Sequence, residues 1–207
     1  MKADLDQFPR VTSILRGYTG QETDRILEIL CDSKIRSVEI AYNTPNAGKI
    51  LRESIQKYGS RIVFGAGTVT GMEALEDVVD AGADFVLSPT MYTAEMLSYC
   101  KAHGVISVPG ALTPSEVSSQ FAGGADIVKI FPAVTVGPTY FRQLAGPMGP
   151  LRLMAVGGVN IRNAKEFLDA GAYLGIGSGM FRKEDVAAGN MDAVRESIRS
   201  FEDALGL

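Results

Sequence analysis

Short apolar runs rich in β-branched residues return along this chain roughly every 20 to 26 residues, and no other feature narrows the fold so far. They lie at 11–16 (VTSILR), 37–42 (SVEIAY), 61–64 (RIVF), 85–88 (FVLS), 104–108 (GVISV), 127–131 (IVKIF), 151–156 (LRLMAV) and 173–176 (YLGI), each closed by Gly, Pro, Asn or Ser. Between them the periodicity is helical, as at Thr23–Leu30, where Ile26, Leu27, Ile29 and Leu30 share a face, and at Ala74–Val79. Strands alternating with helices at this pitch form βα units and a parallel sheet. Three segments echo one another: DAGADFV at 80–86, AGGADIV at 122–128 and DAGAYLG at 169–175. Each predicts a helix end, a glycine in left-handed geometry, then a strand entering the core. Eight units close a (β/α)8 TIM barrel, an α/β fold with a closed parallel sheet, as one domain over 1–207. The competing open, doubly wound sheet usually needs fewer strands and a glycine loop after its first strand. Here the first strand runs on as ILRGYTGQE, without G-x-G-x-x-G.

Composition removes whole classes of function. The 207 residues amount to about 1.4 average domains, and 20 basic against 24 acidic side chains leave a net charge of −4. That balance argues against nucleic acid and anionic membrane as partners, both of which favour basic excess. No apolar run of transmembrane length occurs, and the first ten residues, MKADLDQFPR, lack the apolar core of a secretory leader. The expectation is a soluble cytoplasmic protein, with Cys31 and Cys100 as small buried hydrophobes. A single histidine, His103, precludes a His-rich metal site. It precedes the fifth strand and so falls on the face of a barrel that serves stability, as do Asp84 and Asp126. Asn190 is placed to cap a last helix whose Met191, Val194, Ile198, Phe201 and Leu205 form an apolar stripe for core packing.

The chemistry must therefore come from elsewhere. Of the eight lysines, Lys2, Lys34, Lys49, Lys57, Lys101, Lys165 and Lys183 fall at the N-terminus, in helical segments or in loops; only Lys129 is embedded in an apolar strand, IVKIF. Burial disfavours its ammonium form and makes a neutral, nucleophilic amine accessible near neutral pH. Glu39, in SVEIA, is the carboxylate deep in a strand. Alternation puts Glu39, Ala41 and Asn43 on one face of the second strand, and Ile127, Lys129 and Phe131 on one face of the sixth. If both faces point inward, an acid and an amine meet inside the barrel, as proton shuttling in imine chemistry requires; a structural ion pair is the alternative.

Strand ends supply candidate substrate holders. Arg16 closes the first strand and can clamp a carboxylate bidentately, or serve as a rim ion pair. Thr68 follows the GAG at 65–67 and offers a hydroxyl. AVGGVN at 155–160 and GIGSG at 175–179 follow the seventh and eighth strands, where barrels commonly bind phosphate through backbone N–H groups. Gly157, Gly158, Gly177 and Ser178 would form that cradle; glycine-rich tight turns are the alternative.

Taken together, VKIFPA (128–133), GAGT (65–68), SP (88–89), VPG (108–110) and the paired GG and GS motifs resemble the 2-keto-3-deoxy-6-phosphogluconate / 4-hydroxy-2-oxoglutarate aldolases over nearly the whole chain. The resemblance implies a metal-free class I aldolase needing no cofactor, a homotrimer of (β/α)8 barrels that splits a 2-keto-3-deoxy sugar acid into pyruvate and an aldehyde. It implies Lys129 as the imine-forming lysine and Glu39 as general acid and base. Thr68, Pro89 and Phe131 would line the pyruvyl site, and Gly157, Gly158 and Ser178 would take a distal phosphate. Three positions depart from the gluconate-type pattern: Asn43 stands in place of an arginine, Val156 in place of a threonine, and SPT (88–90) in place of SPG. With ILRG (14–17) and VGP (136–138), Asn43 and Val156 look closer to the 2-keto-3-deoxy-6-phosphogalactonate branch, in which Arg16 would clamp the carboxylate. The rivals are a phosphosugar isomerase or epimerase, for which the strand lysine is not required, and a non-catalytic binder of sugar-acid phosphates.

Overall fold

The computed structural model describes residues 4–207; Lys2 lies outside the described residues. Strands and helices alternate from the start: β1 (Val11–Leu15), α1 (Gly20–Cys31), β2 (Ser37–Ala41), α2 (Ala47–Tyr58), β3 (Val63–Gly67), α3 (Met72–Asp80), β4 (Phe85–Leu87) and α4 (Ala94–His103). The second half follows with β5 (Ile106–Val108), β6 (Gly110–Ala111), α5 (Pro114–Ala122), β7 (Val128–Ile130), α6 (Ala133–Met148), β8 (Leu153–Val156), α7 (Ala164–Asp169), β9 (Tyr173–Ile176), α8 (Lys183–Ala187) and α9 (Met191–Leu205). All strand pairs are parallel, in the order β5-β4-β3-β2-β1-β9-β8-β7-β6.

The eight expected strands become nine segments because the fifth is divided at Pro109, which has no N–H to donate. β5 pairs with β4 and β6 with β7, so the divided strand closes the ring. Lys129 donates its backbone N–H to the Pro109 carbonyl at 2.8 Å across that closure. A second difference concerns GAG at 65–67. Glycines usually punctuate a strand, but these extend β3 to Gly67, because side chains from neighbouring strands occupy the space their own would have taken.

The echoed motifs behave as their sequence suggests. Gly82, Gly124 and Gly171 have φ of 97°, 95° and 88° and each stands two residues past the end of α3, α5 or α7. Asn190 accepts a bond from Ala193 N–H and caps α9, whose Val194, Ile198, Phe201 and Leu205 are buried. His103 stacks on Tyr99 in the last turn of α4. The Asp84 and Asp126 carboxylates accept bonds from the Phe64 and Ser107 backbone N–H groups and pin strand entries. Cys31 and Cys100 are buried free thiols, and burial pushes Cys100 up to about 12.

Two cores result. One lies between the sheet and its helices, with Ile26, Leu30, Phe64, Val86 and Phe167 among its members. The other fills the barrel: Phe8 plugs it from the N-terminal side against Phe85, and Ile14, Leu87, Val108, Met154 and Val156 line it above. Glu39 and Lys129 interrupt that interior. No described helix is long and apolar enough to cross a membrane.

Candidate active site

Strand alternation turns Glu39 and Lys129 inward, and the closed sheet leaves them 1% and 4% exposed. On β2, Glu39 lies beside Ile14 of β1 and Gly65 of β3 in register. Its carboxyl leans toward Gly67, where a Cβ would stand 1.5 Å from Oε1. Gly67 is thus the space that Glu39 occupies. Oε2 is buried and has no hydrogen-bond partner. On β7, Lys129 is flanked by Gly110 and Met154, and its Nζ lies 5.0 Å from the centre of the Phe131 ring.

Burial dominates the protonation of both groups. It raises the Glu39 carboxyl above the ordinary carboxylate range, although Lys129 and Arg16 pull it back in part. It lowers the Lys129 ammonium, with Glu39 opposing and the positive charge of Arg16 adding to the effect. Folding therefore favours the neutral acid and the neutral amine, the forms needed for attack on a ketone and loss of water. The two side chains form no direct ion pair among the described residues.

Above them opens a cavity of about 530 Å³ at the C-terminal ends of the strands. Arg16, Thr68, Pro89, Phe131, Gly157, Gly158, Gly177 and Ser178 all line it, as the sequence suggests. Asn43 does not. Its Oδ1 instead accepts a 2.6 Å bond from Arg16 Nη1, which also donates to the Thr68 hydroxyl at 3.1 Å. Thr68 holds a φ of 59°, unusual for a β-branched residue and characteristic of functional sites.

The opposite wall is made of backbone. Gly157 and Gly158 have φ of 93° and 75°, and a Cβ on Gly158 would overlap Val134. Gly179 abuts the Val159 carbonyl, so the loops after β8 and β9 meet closely. Among the described residues Arg16 is the only charged one lining the cavity. Ile14, Val159, Asn160, Gly175 and Gly179 also line it and went unnamed as site residues in the sequence. Ile14 could have been found two residues before Arg16 on the same strand face, and Asn160 in AVGGVN. Among the described residues no cluster of His, Cys, Asp and Glu is arranged to hold a metal ion.

The chain matches the family model for KDPG and KHG aldolase over residues 6–197. It is 27% identical to the 2-dehydro-3-deoxy-6-phosphogalactonate aldolase of Escherichia coli, covering 93% of this chain and 95% of that one. Identity to the 2-dehydro-3-deoxy-phosphogluconate aldolase of Treponema pallidum is 31%, over 89% of this chain and 88% of the relative. Among solved structures, the KDPG aldolase from Legionella pneumophila, with pyruvate captured as a covalent carbinolamine intermediate, superposes with a TM-score of 0.86 at 26% identity. That match covers 95% of this chain and 96% of the other.

Proposed function

This chain belongs to the KDPG and KHG aldolase family and is a carbon–carbon lyase, and from that premise we propose that Lys129 is its imine-forming nucleophile and Glu39 its proton carrier. The observation that carries this reading is one neutral-leaning amine and one neutral-leaning carboxyl buried inside the barrel, with Lys129 lying against the ring of Phe131, which lines the open cavity.

The neutral Lys129 amine attacks the C2 ketone of a 2-keto-3-deoxy acid, and the carbinolamine loses water to give a protonated imine. Glu39, in its acid form, supplies the proton that lets water leave. The iminium then carries a fixed positive charge beside Glu39, which favours the carboxylate. That carboxylate, through a water, takes the C4 hydroxyl proton as the C3–C4 bond breaks. The bonding electrons pass to the imine and form an enamine. Reprotonation at C3 and hydrolysis release pyruvate.

Arg16 holds the substrate carboxylate, Thr68, Pro89 and Phe131 bound the pyruvyl portion, and the amides of Gly157, Gly158, Gly177 and Ser178 take a distal phosphate. The substrate is a 2-keto-3-deoxy-6-phospho sugar acid of the gluconate or galactonate type, and its second product is glyceraldehyde 3-phosphate. Asn43 and Val156 follow the pattern of the galactonate branch, which makes the galactonate epimer the preferred substrate, and 4-hydroxy-2-oxoglutarate, yielding glyoxylate, is a secondary substrate. The protein acts as a cytoplasmic homotrimer of single-domain barrels. Large apolar side chains left exposed at the mouth, Met91, Val134 and Ile161, support assembly, and two free cysteines support a reducing compartment.

Pyruvate release from the two epimeric phospho-acids and from 4-hydroxy-2-oxoglutarate tests the assignment. The expected order of kcat/KM is galactonate-type, then gluconate-type, then 4-hydroxy-2-oxoglutarate. Release from none of the three refutes it.

A further inference from the structure

We infer that Asn43 is a positioning residue that reaches the substrate only through Arg16, gripping one end of the guanidinium so that the other end faces the substrate carboxylate. The inference rests on the clamp role given to Arg16 above. Asn43, at the end of β2, does not line the cavity, whereas Arg16, at the end of β1, does.

A guanidinium carries five N–H donors in a rigid planar fork. Both bonds that Arg16 makes leave from the same nitrogen: Nη1 donates to Asn43 Oδ1 at 2.6 Å and to Thr68 Oγ1 at 3.1 Å. Those two partners account for both hydrogens of Nη1. Among the described residues Nη2 and Nε make no hydrogen bond and Arg16 enters no salt bridge. This is the edge from which an arginine binds a carboxylate with two parallel bonds. A long side chain that is ordered before binding loses less rotamer freedom on binding.

The chemistry of the grip matters as much as its geometry. The Asn43 amide oxygen and the Thr68 hydroxyl are neutral, so they orient the guanidinium without cancelling its charge. A carboxylate at either position would orient it equally well and neutralise it. The retained charge also acts inward, where it helps hold Lys129 in its amine form. Thr68, with its left-handed backbone past β3, and Asn43, past β2, both reach Nη1, so three neighbouring strand ends converge on one nitrogen.

A double-mutant cycle on the full chain, with pyruvate affinity read by calorimetry, tests this. Asn43→Leu weakens pyruvate binding about tenfold, the scale of one hydrogen bond to a charged group, and raises KM with kcat nearly unchanged. In an Arg16→Gln background the same substitution has no further effect. An equal loss in both backgrounds overturns the inference, because Asn43 would then meet the substrate itself or act through general stability. Unchanged affinity in Arg16→Gln alone also overturns it, since nothing would remain to position. Borohydride trapping of the wild type is the separate control: absence of an adduct on Lys129 refutes the imine chemistry, while the binding cycle stays readable.

Discussion

The two sides of the barrel mouth are built on opposite plans. At the ends of β1, β2 and β3 the site consists of side chains: Arg16, Asn43 and Thr68 interlock, and Glu39 lies beneath them. At the ends of β8 and β9, Gly157, Gly158, Gly177 and Ser178 line it, uncharged and mostly without side chains. A charged side-chain clamp suits the carboxylate common to every 2-keto acid. A cradle of fixed dipoles suits an anion present in only some substrates. Substitutions on the first side should therefore damage all substrates alike, and those on the second should discriminate among them.

The most severe test of that contrast is Gly67→Ala. A single methyl would collide with the Glu39 carboxyl and displace it, so kcat should fall by about two orders of magnitude or more for every substrate. Circular dichroism and steady-state kinetics together check it; a folded variant of normal kcat would remove Glu39 from the chemistry. Ser178→Glu should break the symmetry from the other side. Its charge repels a phosphate, so KM should rise at least about tenfold for phosphorylated substrates and little for 4-hydroxy-2-oxoglutarate. Equal changes would dissolve the cradle.

The smallest expected effect is on stability and falls between the two sides. The folded-state pKa of Lys129 lies below its ordinary 10.5, so folding near neutrality carries a penalty for burying an amine that is protonated in the unfolded chain. Lys129→Met removes the penalty and should raise Tm at pH 7 by a few degrees, about 2–4 °C per kcal/mol for a chain of this size. The gap should narrow as pH rises toward 10.5, where the unfolded chain also loses the proton. A scanning calorimetry series over pH measures it.

The contrast also explains what could be read from the sequence. Lys129 and Glu39 stand out because a charge inside an apolar strand violates the pattern around it; alternation assigns each to one strand face, and the closed sheet shows that face to be the inner one. The βα pitch gave the barrel for the same reason, since it repeats. The sequence pattern stops the third strand at position 64, yet it runs to Gly67, because a glycine marks equally a bend in the chain and room for a neighbour; only the register of β2 on β3 shows which. Pro109 divides the fifth strand without ending it, because the ring continues on both sides. The bond from Arg16 to Asn43 spans 27 positions and depends on two rotamers, for which the sequence carries no period.

The central claim is that a barrel-buried lysine forms a covalent imine with a keto acid. Incubation with pyruvate followed by borohydride reduction and peptide mass mapping tests it most directly. The account predicts a reduced pyruvyl adduct on Lys129, with loss of tryptic cleavage there and no adduct in Lys129→Met. An unmodified Lys129 at saturating pyruvate, or an adduct on another lysine, would contradict it.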